Sequence, residues 1–202
     1  MTSQSFTDRR IGPELDLEGF RLPPHVGARL ATLFGRDTPI TTGSEWVQAM
    51  RTVFTEEFDR FPSEDALCRA EDGAHSVTID GDRDTFVCVL DPLIVPFLRD
   101  EPGRIESTTP EDGATVTIDI DDGGTTATPE SAVISLGLTH HVEADSATPE
   151  TVYRQVCGYI HVFAAPAEYE RWADNVEAAT TSVPVETGIG LARELAAVLF
   201  DA

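Results

Sequence analysis

The sequence contains no lysine: all 14 basic residues are arginine, against 36 acidic residues, for a formal net charge of −22 over 202 residues. A phosphate-binding face needs clustered positive charge. These arginines are scattered, so the composition argues against a nucleic-acid partner. Carboxylates in such excess keep a surface hydrated in concentrated salt, which screens their repulsion. The balance resembles that of proteins from salt-loving organisms, and the acidity is solvation rather than a binding surface. Long apolar runs are also missing, which leaves no candidate membrane span. Residues 1–20 are polar and carry Arg9-Arg10 with no apolar core behind them, unlike a secretory signal. A cytoplasmic protein is expected, with residues 1–20 as a mobile arm or a loosely docked segment.

Cysteine is scarce. Cys68, Cys88 and Cys157 are odd in number and widely spaced, which does not make a disulfide framework; in a reducing compartment they are free thiols, open to catalysis or metal binding. No Gly-x-Ser-x-Gly or Cys-x-x-Cys occurs, so hydrolase and thioredoxin-like readings have no support. Gly188-Ile189-Gly190 is too short for a phosphate loop. The Asp-rich turn at 119–122 lacks the ligand pattern of an EF-hand.

What is present divides at about residue 72. Residues 1–72 are helical by pattern. Val26, Leu30, Leu33 and Phe34 follow helical spacing up to Gly35. Thr42 and Glu45 form a capping-box signature ahead of Trp46, Val47, Met50, Val53, Phe54 and Phe58. A short third helix from Pro62-Ser63 through Leu67 carries Cys68 in its last turn, as a small buried hydrophobe. Three short helices make a winged-helix-like layout. From His75 the period changes to 2. Val77 and Ile79 lead through a turn at Gly81-Asp82 into a strand at Thr85–Leu90. Val116, Ile118 and Ile120 alternate, Ala132–Leu138 and Tyr159–Ala164 read as strands, and Thr139–Pro149 is an acidic loop. Helices are expected at Ala167–Val176 and at about Gly188–Phe200. Residues 73–202 thus form an α+β core, a mostly antiparallel sheet with packed helices.

Thr85–Leu90 is apolar on both strand faces, the pattern of a buried strand. Asp91-Pro92 reads as a helix start, with Asp91 at the N-cap and Pro92 at the first helical position; Pro96 should kink or shorten that helix. Cys88 then sits at a strand end, three residues before a carboxylate at a helix N-terminus, where a thiol pKa tends to fall. An ordinary packing cysteine and an ordinary cap would look the same. Cys157 shares strand parity with Tyr159, His161 and Phe163, so His161 is either a core histidine or a support for the thiol. His140-His141, adjacent at a strand end, point to opposite faces and read as surface residues. No spacing rule brings Cys88 and Cys157 together.

The run Val-Cys-Val-Leu-Asp-Pro-Leu-Ile-Val-Pro-Phe-Leu, followed much later by Gln-Val-Cys-Gly-Tyr-Ile-His-Val-Phe-Ala, resembles the alkylmercury (organomercurial) lyase family. There a Cys-x-x-Asp precedes a proline-containing helix, and a second cysteine opens an apolar strand with a histidine. The resemblance runs from about Val77 through Gly-Ile-Gly-Leu-Ala-Arg-Glu-Leu at 188–195; residues 1–70 match only in being helical. It implies a catalytic trio of Cys88, Asp91 and Cys157, the same three groups holding product Hg(II), and no cofactor. Hg(II) is soft and prefers thiolate to nitrogen or oxygen, and a departing carbanion needs an acid beside the sulfurs. By that resemblance Cys157 takes the organomercurial first, Cys88 is the second thiolate, and Asp91 relays the proton. Small cytosolic thiols or a mercuric reductase would collect the ion. The sequence departs from the family in lacking a further cysteine near Ile105–Thr109, in placing Gly158 after Cys157, and in a longer preceding loop. Two other readings use the same residues: a non-catalytic carrier holding Hg(II) or Cu(I) between Cys88 and Cys157, and an acidic metal-sensing regulator.

Overall fold

The computed structural model describes residues 13–58, 63–143 and 147–200, with no side-chain description for 56–58. Helices α1 (Pro24–Leu33) and α2 (Gly43–Phe58) open the chain. Gly35, at φ +61°, follows the first of them, where a left-handed residue lets the helix end. The capping box at the second forms as expected. Thr42 Oγ1 accepts from the Glu45 N–H at 3.1 Å, and Glu45 Oε2 accepts from the Thr42 N–H at 3.3 Å. Trp46, Val47, Val53 and Phe54 are buried; Phe58, expected on the same face, lies outside the described side chains. Of the expected arm, residues 13–20 are docked: Leu15, Leu17 and Phe20 pack on the core, and the Leu17 carbonyl accepts from Ser44 N–H at 3.1 Å. The rest lies outside the described residues.

The expected third helix shrinks to one 3-10 turn, Glu64–Ala66, and Cys68 lies beyond it. Its Pro62 start lies outside the described residues. The cause is a competing partner for the main chain. Cys68 O accepts from Val87 N–H and Ala70 N–H donates to Thr85 O, both at 3.0 Å. The segment therefore lies as a short extra strand along the neighbouring sheet edge, satisfying groups that an edge would leave bare.

That sheet has five antiparallel strands in the order β2-β1-β3-β4-β5: β1 (His75–Ile79), β2 (Asp82–Phe86), β3 (Gly103–Thr108), β4 (Thr115–Asp121) and β5 (Gly124–Thr128). The hairpin β1–β2 turns through Asp80 and Gly81, both at positive φ, as a two-residue connection of right-twisted strands requires. The alternation read at 114–120 is real: Val116, Ile118 and Ile120 are fully buried. The second sheet, β7-β6-β8, is antiparallel and smaller. It comprises β6 (Val133–Thr139), β7 (Val162–Phe163) and β8 (Ala178–Pro184).

Four further helices complete the α+β fold: α3 (Leu90–Arg99), α4 (Pro149–Val156), α5 (Pro166–Ala173) and α6 (Val185–Leu199). Helix α3 is buried along nearly its whole length and packs against both α6 and the β1–β3 side of the first sheet. Pro96 sits inside it without ending it. The helix stops at Asp100, which takes a left-handed conformation at φ +57°. Helix α6 also contacts α2. The space between α2, α3, α4 and α6 is where the thiols meet.

Candidate active site

Cys88, Asp91 and Cys157 line one cavity of about 320 Å³, and Cys68 joins them there. The remaining wall is mostly apolar, with Trp46, Met50, Phe54, Leu90, Ile94, Ile160 and Leu195 among its residues. Trp46 presents a buried indole N–H with no hydrogen-bond partner among the described residues. Arg69, Glu150 and Tyr153 are the exposed residues at its edge.

Main-chain pairing explains the convergence. Strand β2 ends at Phe86, and Cys88 lies in a bend before α3, not on the expected longer strand. Val87, on one side of it, donates to Cys68 O at 3.0 Å; Val89, on the other, donates to Ile160 O at 3.1 Å. The bend is therefore stitched to both segments that carry the other thiols. Cys157 is not on a strand either. It caps the C-terminus of α4 and opens a 3-10 turn, Cys157–Tyr159, while only Val162–Phe163 pairs as a strand. Cys157 and His161 therefore do not share a strand face, contrary to the parity expected from sequence. Helix α4 is fixed at its other end by a reciprocal cap, with Thr148 Oγ1 accepting from Thr151 N–H and Thr151 Oγ1 accepting from Thr148 N–H.

Asp91 is not the N-cap. Val89 holds that position without a side-chain bond, and Asp91 falls in the first turn. Its carboxylate turns away to accept the Cys68 N–H at Oδ2, 3.0 Å. Burial still dominates, and the carboxyl is pushed up to about 6. The thiols also move upward, opposite to the sequence expectation. Burial raises Cys88, with a contact to Cys157 opposing it and the Asp91 charge adding to it. Contacts with Cys68 and Cys88, then burial, raise Cys157. The helix N-terminus does not win, because Cys88 has almost no water around it at 2% exposure and a desolvated thiolate is costly.

Cys68 is the residue that pattern reading misplaced. Its Sγ lies 3.4 Å from Cys157 Sγ, and it is only half-buried. His161 lies next to the cysteine turn. The Gly158 carbonyl can only accept, so His161 Nε2 donates to it at 2.8 Å. Nδ1 is then left to accept from His75 Nε2 at 3.3 Å. His140 and His141 are exposed, as expected. Among the described residues no three His, Cys, Asp or Glu side chains form a ready-made metal cage, and no helix is long and apolar enough to cross a membrane.

The arrangement can bind a soft electrophile between sulfurs in an apolar chamber and set a protonatable carboxyl beside it. Comparisons with known proteins place the fold and the family. The crystal structure of the mercury-bound form of MerB2 superposes with a TM-score of 0.50 at 15% identity, covering 88% of this chain and all of that one, and shows the shared fold. An alkylmercury lyase of Streptomyces lividans is 29% identical over 126 residues, 62% of this chain. The match spans about half (55%) of that relative's length. The family model for alkylmercury lyase (MerB) matches residues 69–197, from just after Cys68 through most of α6. Because that match covers more than half of the chain and takes in Cys88, Asp91 and Cys157, the protein belongs to the alkylmercury lyase family.

Proposed function

We propose that this protein is an alkylmercury lyase that cleaves the carbon–mercury bond of organomercurials by protonolysis, releasing a hydrocarbon and Hg(II). The observation that carries this reading is the convergence of Cys88, Asp91 and Cys157 on one apolar cavity. A thiol pair alone would suit storage of a soft ion. A buried carboxyl held near pH 6 beside the pair supplies what storage does not need, a group that moves protons near neutrality.

The chain of events follows from the chemistry. Cys157 binds R–Hg⁺ as its thiolate; mercury replaces the thiol proton, which leaves to solvent. Cys88 attacks the mercury and its proton passes to Asp91. Asp91 delivers that proton to the carbon as the carbon–mercury bond breaks. The products are RH and Hg(II) on two thiolates, and no electrons are exchanged. Raised thiol pKa values suit this order. The resting site keeps its protons, so Cys88 still holds one when mercury arrives, and mercury's preference for sulfur drives the proton off. The apolar wall keeps bulk water from the forming carbanion. A chamber of about 320 Å³ suits a small alkyl or aryl group. Hg(II) then leaves to small thiols or to a mercuric reductase.

Headspace gas chromatography tests this on purified protein in concentrated KCl, with phenyl- or methylmercury and excess small thiol. Catalytic benzene or methane from wild type, absent in Cys157→Ser, is expected. No hydrocarbon from a folded protein that still binds Hg(II) would leave a soft-metal carrier as the reading.

A further inference from the structure

Cys68 is the thiol that the reaction above does not use, yet it is built into the same chamber. Its carbonyl is held by Val87, the neighbour of Cys88. Its N–H donates to Asp91 Oδ2, and its sulfur touches that of Cys157 at 3.4 Å. Exposure rises along the three sulfurs' residues. Cys88 is 2% exposed and Cys157 8%, while Cys68 is half-buried and is followed by Arg69 at the exposed edge of the cavity. An ion left on Cys88 and Cys157 would sit on the two sulfurs that external thiols reach least.

We propose that Cys68 is the exit ligand of this site: Hg(II) formed on Cys88 and Cys157 transfers to the Cys68–Cys157 pair, and outside thiols remove it from there. The inference rests on the lyase reading for the source of the ion. The exchange is associative. The Cys68 sulfur bonds to mercury, the bond from mercury to Cys88 breaks, and Cys157 stays attached throughout. The proton lost by Cys68 passes to Asp91, whose Oδ2 already holds the Cys68 N–H, and from there to the Cys88 sulfur as that sulfur leaves mercury. Ligands and protons balance, and no oxidant or reductant is required. Mercury stays on two soft sulfurs before and after, so the driving force is access: a thiolate nearer solvent is the better handover point.

The test loads the full chain with one equivalent of mercuric chloride, so no carbon–mercury cleavage is involved. Loss of the mercury–thiolate absorbance is followed by stopped flow after mixing with excess glutathione. Removal is expected to be several-fold slower in both Cys68→Ser and Cys68→Ala than in wild type. Removal as fast as wild type, or faster, would overturn the assignment. A second measurement uses wild type alone and so does not depend on a variant's folding. The mercury-loaded chain is treated with a small alkylating reagent and the modified cysteine is identified by mass spectrometry. Protection of Cys68 relative to the mercury-free chain is expected; alkylation of Cys68 as fast as in the mercury-free chain overturns the proposal. A chain that releases no hydrocarbon can still give either result, so failure of the lyase reading stays distinct from failure of this one.

Discussion

The N–H of Cys68 donates to Asp91 Oδ2 at 3.0 Å, tying together residues 23 positions apart. This bond orients the carboxylate toward the thiols and not toward its own helix end. It also favours the charged form, as does the nearby Arg69, but burial outweighs both and sets the carboxyl at about 6. To take the proton of Cys88, Asp91 must be ionised. Turnover is therefore expected to rise with pH through about 6 and level off above it, and a pH profile of hydrocarbon release checks this. Asp91→Asn should lower turnover by about 100-fold or more and erase that limb, while one Hg(II) per chain still binds. An unchanged profile in the variant would remove Asp91 from the proton path.

The stretches with strong local pattern were the legible ones. The Thr42–Glu45 capping box, the β1–β2 hairpin, the alternation at 116–120 and the last helix each follow from a few neighbouring residues. Strands β3, β5 and β8 escaped, because Gly103–Thr108, Gly124–Thr128 and Ala178–Pro184 are rich in Thr, Ser, Ala and Gly and carry little apolar alternation. Their pairing is decided by partners distant in sequence. Cys88, Asp91 and Cys157 stand out as a candidate trio only through family resemblance, and local pattern does not show their settings for the same long-range reason. The bend at Cys88 and the turn at Cys157 are fixed by bonds to Cys68 and Ile160. Cys68 itself had one available signal, a cysteine beside Arg69 in a segment without helical period. That signal is too weak to place it at 3.4 Å from another sulfur.

The segment carrying Cys68 is clamped to the end of α3 by charge. Arg99 reaches Glu64 at 2.6 Å and Asp84 at 2.8 Å, and Arg69 reaches the same Glu64 at 2.5 Å. All four side chains keep roughly a quarter to a third of their surface in water, so screening reduces their worth. Arg99→Gln should destabilise the fold by about 1–2 kcal/mol at low salt. The loss should shrink in concentrated KCl. Urea unfolding at the two salt concentrations measures both; equal losses would mean the arginine acts through packing instead.

His75 is fully buried, its Nδ1 has no partner among the described residues, and burial with the neighbouring His161 depresses its pKa to about 3. The unfolded chain protonates it near the ordinary 6.5, so its contribution to stability is present above that pH and fades as pH falls toward 3. Asp91 runs the other way: its contribution is present below the ordinary 3.8 and is lost as pH rises through about 6. The two oppose each other between about 4 and 6. The difference between wild type and His75→Asn isolates the histidine. Wild type should lose stability relative to the variant by about 1.4 kcal/mol per pH unit below 6. Parallel denaturation midpoints from pH 7 to 5 would show that His75 is protonated in the fold.

Two glycines give opposite expectations from geometry alone. A Cβ on Gly27 of α1 would stand 2.0 Å from the Ile40 carbonyl oxygen, and that crossing is already closed by a 3.1 Å bond from Ile40 N–H to Gly27 O. The obstacle is backbone at both ends, so relief requires α1 to move off the segment leading into α2. Gly27→Ala should cost about 3 kcal/mol. Gly158, directly after Cys157, has nothing within 4 Å of its Cβ position and no positive φ. Gly158→Ala should change stability by no more than about 0.5 kcal/mol and leave Hg(II) stoichiometry unaltered. Denaturation of both variants with mercury titration of the second checks this. If Gly158→Ala blocked mercury uptake, approach to Cys157 would have to pass over the turn at Gly158, not through the chamber between α2, α3, α4 and α6.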